Sequence, residues 1–171
     1  NNSNSVHYVH KLLKSIPESS QLFIGNSLPI REFDKIALNI NKDITVLGNR
    51  GASGIDGIIS SAIGMASANP KKQTFLVIGD VSFFYDLSAL QLAKNLDVNL
   101  TILVINNSGG QIFRKLPYAD FGIKYFEKFW LTNPYLNIEK TAELFGFGYL
   151  RIDDYKKIKI NKLYINEIII F

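Results

Sequence analysis

Short apolar runs alternate with helically spaced apolar positions along most of this chain. Val6, Val9, Leu12, Leu13 and Ile16 recur at helical spacing and predict a helix that Pro17 ends. From Gln21 the texture changes. Leu22 to Ile24, Ile44 to Leu47, Phe75 to Ile78 and Leu100 to Ile105 predict strands, with two more near Tyr149 to Ile152 and Leu163 to Phe171. Between them the spacing predicts helices from Pro29 to Asn39, from Gly54 to Ala68, and from an Asp86 cap to Asn95. Shorter helical patches lie near Ile123 to Phe129 and Ile138 to Phe145, after an irregular loop from Asn107 to about Tyr118. Leu100 to Ile105 is apolar on both faces, as a central parallel strand should be. The pattern predicts an α/β fold, a three-layer α/β/α sandwich with a mostly parallel six-stranded sheet. Residues 1–18 are expected to be a helix or linker from an upstream domain, and 19–171 the sheet domain. The absent initial Met and the apolar finish Ile168 to Phe171 suggest a piece cut from something larger, shortened at its C-terminus.

Composition narrows the function classes. At 171 residues, 47% hydrophobic and 20% charged, the chain has the make-up of one globular domain, which excludes disorder. No apolar run approaches a membrane span, and no charged start with an apolar run marks a signal peptide. Cysteine is absent, so disulfide scaffolds, zinc ribbons and thiol nucleophiles drop out. The net charge of +4 comes from 19 basic residues, of which only Arg31, Arg50, Arg114 and Arg151 are arginine. The lysines are scattered among many Asn and Ile without forming a stripe, so nucleic acid is not an expected partner. His7 and His10 have no carboxylate partner nearby and read as surface residues, not metal ligands.

Ligands of open parallel sheets bind beyond the carboxyl ends of the strands. Here those ends carry Gly25-Asn26-Ser27 with Arg31, Asn49-Arg50-Gly51 with Ser53 and Gly54, Gly79-Asp80 with Ser82, and Asn106-Asn107-Ser108-Gly109-Gly110. Each alone is turn chemistry; together they form a polar rim with exposed backbone. Glycines at 48, 51, 54 and 57 invite a dinucleotide reading, but GxGxxG is absent. Close helix–sheet packing is the alternative. Asp80 and Asn107 at neighbouring strand ends are hard oxygen donors of the kind Mg²⁺ takes together with a carbonyl and phosphate oxygens. A lone Asp in such a place also serves as an ordinary helix cap.

Gly79-Asp80, 25 residues, then Asn106-Asn107 is similar to the GD(G)…NN motif of thiamine-diphosphate enzymes, with Val81 replacing the usual third Gly. The flanking segments Gly25 to Arg31, Asn49 to Gly57 and Asn107 to Phe113 resemble the C-terminal, diphosphate-binding (PP) domain of the 2-succinyl-5-enolpyruvyl-6-hydroxy-3-cyclohexene-1-carboxylate synthase family. The resemblance runs from about Leu22 to Phe147. It implies that Asp80, the Asn107 side chain and the Gly109 carbonyl hold Mg²⁺, with Mn²⁺ as an alternative ion. Gly54, Gly79, Ser82 and Gly110 would contribute to the cofactor site, and Ile55 would prop thiamine diphosphate in its bent conformation. Ser27, Arg31 and Arg50 would hold substrate carboxylates, while Ile112 and Phe113 would line the substrate side. Independently, Arg grips carboxylates in a planar, bidentate way that Lys cannot, and Arg31, Arg50 and Arg114 fall in or beside these loops. Arg114 reads equally well as a solvated loop residue.

The implied activity is that of a transferase: decarboxylation of 2-oxoglutarate, then addition of the succinyl group to isochorismate, in menaquinone or phylloquinone biosynthesis. No catalytic residue is expected within the chain itself, because the family's activating glutamate lies on a separate domain. The family's sites form between subunits, which implies a homodimer or homotetramer. A bacterial cytoplasm is the expected compartment, with a plastid stroma as the alternative suited to the Lys, Asn and Ile bias. Two other readings stay open: a different thiamine-diphosphate 2-oxoacid decarboxylase or synthase, and a cofactor-binding module without catalysis.

Overall fold

The computed structural model describes residues 3–36, 41–117, 119, 122, 124–152 and 158–170, with side chains from Tyr8 onward. Parts of the sequence expectations fall outside these residues: Asn1, Asn2, the His7 side chain, the 37–39 end of the predicted second helix, Tyr118, Ile123 and Phe171. In chain order the elements are α1 (Ser3–Ser15), β1 (Gln21–Ile24), α2 (Leu28–Asp34), β2 (Thr45–Leu47), α3 (Ile58–Ala68) and β3 (Thr74–Gly79). Then come α4 (Asp80–Tyr85), α5 (Ala89–Asn95), β4 (Leu100–Asn106), α6 (Ile138–Phe145), β5 (Gly148–Ile152) and β6 (Tyr164–Ile169). Between β4 and α6 lie a 3₁₀ turn, Gln111–Lys115, and a π-helical turn, Glu127–Leu131.

The six strands form one sheet in the order β2-β1-β3-β4-β6-β5. Every pairing is parallel. A parallel sheet is covered on both faces, so its central strands read as unbroken apolar runs, and β3 and β4 do so. Side chains still alternate. Phe23, Leu76, Ile78, Ile102, Val104 and Ile165 face one core with α3, α5 and α6. Leu22, Ile24, Phe75, Val77, Leu103 and Ile105 face the other with α1 and α2. That division is the expected three-layer sandwich. In α1, Tyr8, Val9, Leu12 and Leu13, with Ile16 just after it, are at most 3% exposed, so this helix is part of the second core.

Several boundaries differ from the sequence expectation for physical reasons. The helix predicted from Gly54 begins instead at Ile58, with Gly57 in the left-handed region at φ 66° as its N-cap. Glycine every third residue over 48–57 makes that stretch a poor helix and a pliable loop. Asp86 does not cap α5, which starts at Ala89 behind Ser88. Its carboxylate turns to α3, accepting from the Ser60 amide at 2.8 Å and the Ser60 hydroxyl at 3.2 Å. A tertiary contact thus supplies the acceptor that Gly57 cannot. Helix α4, unforeseen because its Val, Ser, Phe and Tyr are weak helix formers, starts directly where β3 ends. Of the patch expected near Ile123 to Phe129, residues 127–129 fall in the π-helical turn, and the irregular loop contains the 3₁₀ turn.

Replacing Asp86 with Ala removes the α3 cap and should cost about 1 kcal/mol in urea unfolding, whereas Asp86→Asn should retain most of it. Equal stability of the Ala variant and the parent would show that the cap contributes nothing.

Candidate functional site

The strand order reverses between β1 and β3, which places a crevice beyond their carboxyl ends. A cleft of about 140 Å³ opens there. Ser27 and Leu28 border it from the β1–α2 loop, and Gly79, Asp80, Val81 and Ser82 from the end of β3. Asn107, Gly109 and Gly110 border it from the end of β4, Ile112 and Phe113 from the 3₁₀ turn, and Ile55 from the loop before α3.

Asp80 is the cleft's buried charge, only 4% exposed. Its Oδ1 accepts from the Val81 amide at 2.9 Å and its Oδ2 from the Gly109 amide at 2.7 Å. Among the described residues no cationic side chain pairs with it. Burial pushes its pKa above the ordinary 3.8, partly offset by the amides of Gly109 and Val81. A desolvated carboxylate with no counter-charge beside it among the described residues, bonded to the backbone of Gly109 in a cleft that Asn107 also lines, is a donor set that suits a hard divalent cation.

The loop after β4 has its shape imposed from behind. Gly109 has φ +114°, and a Cβ there would collide with the Leu131 carbonyl oxygen. The Gly110 amide donates to that same carbonyl at 2.6 Å. Phe113 meets Trp130 edge-on with centroids 5.5 Å apart, and Phe126 stacks with Trp130 at 6.3 Å. The π-helical turn is therefore the wall that seats the strand-end loop. Sequence reading missed Leu131 and Trp130 in this role, and Thr132 as a cleft-lining residue, because nothing in their spacing links them to a loop some twenty residues away.

Three of the expected site residues stand apart from this cleft. Gly54 and Arg50 border a separate hollow of about 490 Å³ formed by the 48–61 segment. Asn26, 3% exposed, joins the two regions: its Nδ2 donates to the Gly54 carbonyl at 2.6 Å and its Oδ1 accepts from Arg50 Nη1 at 2.7 Å. Exposed Arg31 donates from Nη1 to the Ser27 carbonyl at 2.7 Å. Both guanidinium groups thus hold the β1–α2 loop from outside the cleft. Arg114 forms an exposed pair with Glu127 at 3.1 Å, in keeping with the solvated reading.

Gly109→Ala should destabilise the chain by about 1–3 kcal/mol through backbone strain and the clash with Leu131. Exposed Gly51, where an added methyl group would meet nothing within 4 Å, should tolerate Ala within about 0.5 kcal/mol. Chemical denaturation of the two variants checks the contrast, and equal effects would remove the case for a seated loop.

Residues 35–162 match the family described as thiamine pyrophosphate enzyme, C-terminal TPP binding domain. The chain is 40% identical over 159 residues to 2-succinyl-5-enolpyruvyl-6-hydroxy-3-cyclohexene-1-carboxylate synthase of Staphylococcus epidermidis, covering 91% of the chain and 28% of that protein. It is 41% identical over 152 residues to the protein of the same name in Staphylococcus aureus, covering 89% of the chain and 26% of that protein. The chain therefore spans roughly a quarter of the length of these curated relatives. With the family's characteristic region matched across the β2–β5 part of the chain and the strand-end cleft, the chain belongs to the thiamine pyrophosphate enzymes as a C-terminal TPP-binding domain.

Proposed function

We propose that this chain is the diphosphate-binding domain of a synthase that transfers a succinyl group from 2-oxoglutarate to isochorismate, in menaquinone or phylloquinone formation. The observation that carries the reading is the buried Asp80 carboxylate, with no cation paired to it among the described residues, facing the Asn107 and Gly109 loop across the ends of adjacent strands. The names of the staphylococcal relatives point to this reaction. Asp80, the Asn107 side chain and the Gly109 carbonyl would hold Mg²⁺, or Mn²⁺ in its place. Ser82, 3% exposed at the cleft floor, and nearby backbone amides would receive the phosphates.

Bound thiamine diphosphate supplies the electron sink that lets a 2-oxo acid lose its carboxylate. The chain's residues orient and shield. Ile55, Ile112 and Phe113 give the cleft apolar walls that keep water from the reacting centre. Arg31 and Arg50, placed around the β1–α2 loop, would neutralise the carboxylates of two anionic substrates, sharing donors now given to Ser27 and Asn26. Their position outside the cleft suits an opening where substrate meets a second subunit. The activating glutamate would come from another domain, within a homodimer or homotetramer. The compartment would be the cytoplasm or, for a plastid protein, the stroma. Among the described residues no helix is long and apolar enough to cross a membrane.

Asp80→Ala should abolish Mg²⁺-dependent binding of thiamine diphosphate in calorimetric titrations, and unchanged binding would overturn the site assignment. The pH dependence has a definite sign. Because burial raises the Asp80 pKa, the folded chain holds that proton more tightly than the unfolded chain. Stability therefore falls as pH rises from the unfolded value through the raised folded value, and a bound cation offsets the loss. Apparent Mg²⁺ affinity should accordingly weaken on acidification, beginning above pH 3.8, the ordinary carboxyl value. An affinity that is flat down to that pH would contradict coordination by Asp80. For the reaction itself, 2-oxoglutarate should serve as donor for the intact enzyme and pyruvate should not; the reverse would favour a different thiamine-diphosphate decarboxylase. The 171-residue chain alone should show no turnover, and full activity from it would exclude a glutamate supplied from elsewhere.

A further inference from the structure

Glu167 lies near the carboxyl end of β6, outside the cleft, and is only 6% exposed. One of its oxygens accepts from Asn106 Nδ2 at 2.7 Å and the other from the Tyr149 hydroxyl at 2.5 Å. Asn106 is the last residue of β4, directly before Asn107, and its own Oδ1 accepts from the Ser108 amide at 3.2 Å. Ser108 sits in the left-handed region at φ 62°, and the next amide, that of Gly109, donates to Asp80. A continuous set of contacts therefore runs from Tyr149 on β5 to the buried carboxylate of the cleft.

The direction of these bonds carries the inference. An amide side chain can present either its oxygen or its nitrogen to a neighbour, but an ionised carboxylate can only accept. Glu167 therefore requires the Asn106 nitrogen to face it, which turns the Asn106 oxygen toward the Ser108 amide. An amide turned the other way would set nitrogen against the Ser108 N–H and leave that turn without its acceptor. Ile165 and Ile168 on the same strand show that β6 lies in an apolar core, where a carboxylate is costlier than an aliphatic side chain would be.

We propose that Glu167 is a positioning residue: it orients Asn106 and so sets the backbone of Asn107 to Gly109 in the geometry that receives a divalent cation. The proposal rests on the reading that Asp80, Asn107 and Gly109 hold that cation. Glu167 touches neither cation nor substrate and acts through Asn106.

The test uses the intact protein with thiamine diphosphate present, reading Mn²⁺ binding from the electron paramagnetic resonance signal of the free ion. Thermal unfolding of the metal-free protein serves as the structural control. Glu167→Leu should raise the Mn²⁺ dissociation constant by about tenfold or more at temperatures well below unfolding, as loss of a residue that supports metal ligands does. Asn106→Asp should weaken binding too, by setting two carboxylates face to face. The double variant Asn106→Asp/Glu167→Gln exchanges acceptor for donor between the two positions, preserves an acceptor for the Ser108 amide and keeps the net charge. It should recover affinity to within about threefold of the parent. A role confined to net charge would instead let Asn106→Asp alone, with its added negative charge, bind at least as tightly as the parent. Parental Mn²⁺ affinity in Glu167→Leu, or a double variant no better than Asn106→Asp alone, would overturn the positioning role and leave the cation reading intact. Failure of the parent protein itself to bind Mn²⁺ would overturn the cation reading, and this proposal with it.

Discussion

Keeping one carboxylate out of water at the end of a parallel strand is the demand around which the strand-end geometry is arranged. Asp80 is buried at the point where β3 stops, and desolvation raises its pKa. Two backbone amides compensate for part of that cost, one from its own chain neighbour and one from the loop after β4. The second bond ties together loops 29 residues apart in sequence, so the cleft exists only when β3 and β4 are paired in register. A carboxylate left partly uncompensated in this way is a poor device for stability and a good one for receiving a cation.

Support for that arrangement comes from successive layers. The close approach of Leu131 leaves room for no side chain at Gly109, and the ring contacts of Trp130 with Phe113 and with Phe126 support the wall behind it. From the other side of the loop, Asn106 holds the Ser108 amide while its own orientation is held from β6. Asn26 performs a related task between β1 and the glycine-rich segment, one side chain bridging the Gly54 carbonyl and Arg50. Polar residues in a core are tolerated when every donor and acceptor has a partner, and among the described residues no buried side-chain polar atom lacks one.

Much of this was legible in the chain. The six strands and their order along the sequence followed from apolar runs, because a sheet covered on both faces needs them; the motif residues Asp80, Asn107 and Gly109 fell at strand ends for the same reason. The role of Asp86 was not legible, since its partner Ser60 is 26 residues away and local pattern assigns it to the helix that follows. Arg31 and Arg50 were recognisable as scarce arginines, but their placement around the outside of the β1–α2 loop depends on which carbonyl and amide oxygens lie within reach.

Sequence by itself determined the fold class, the location of polar loops at the carboxyl edge, and the family's motif residues, because period, turn chemistry and residue type are local properties. Tertiary structure alone decided that Asp80 is buried, that Leu131 closes over Gly109, that Glu167 faces Asn106 from a strand sixty-one residues on, and that the two arginines stand outside the cleft. Desolvation and hydrogen-bond direction depend on what the chain packs against, and no local pattern encodes the neighbour.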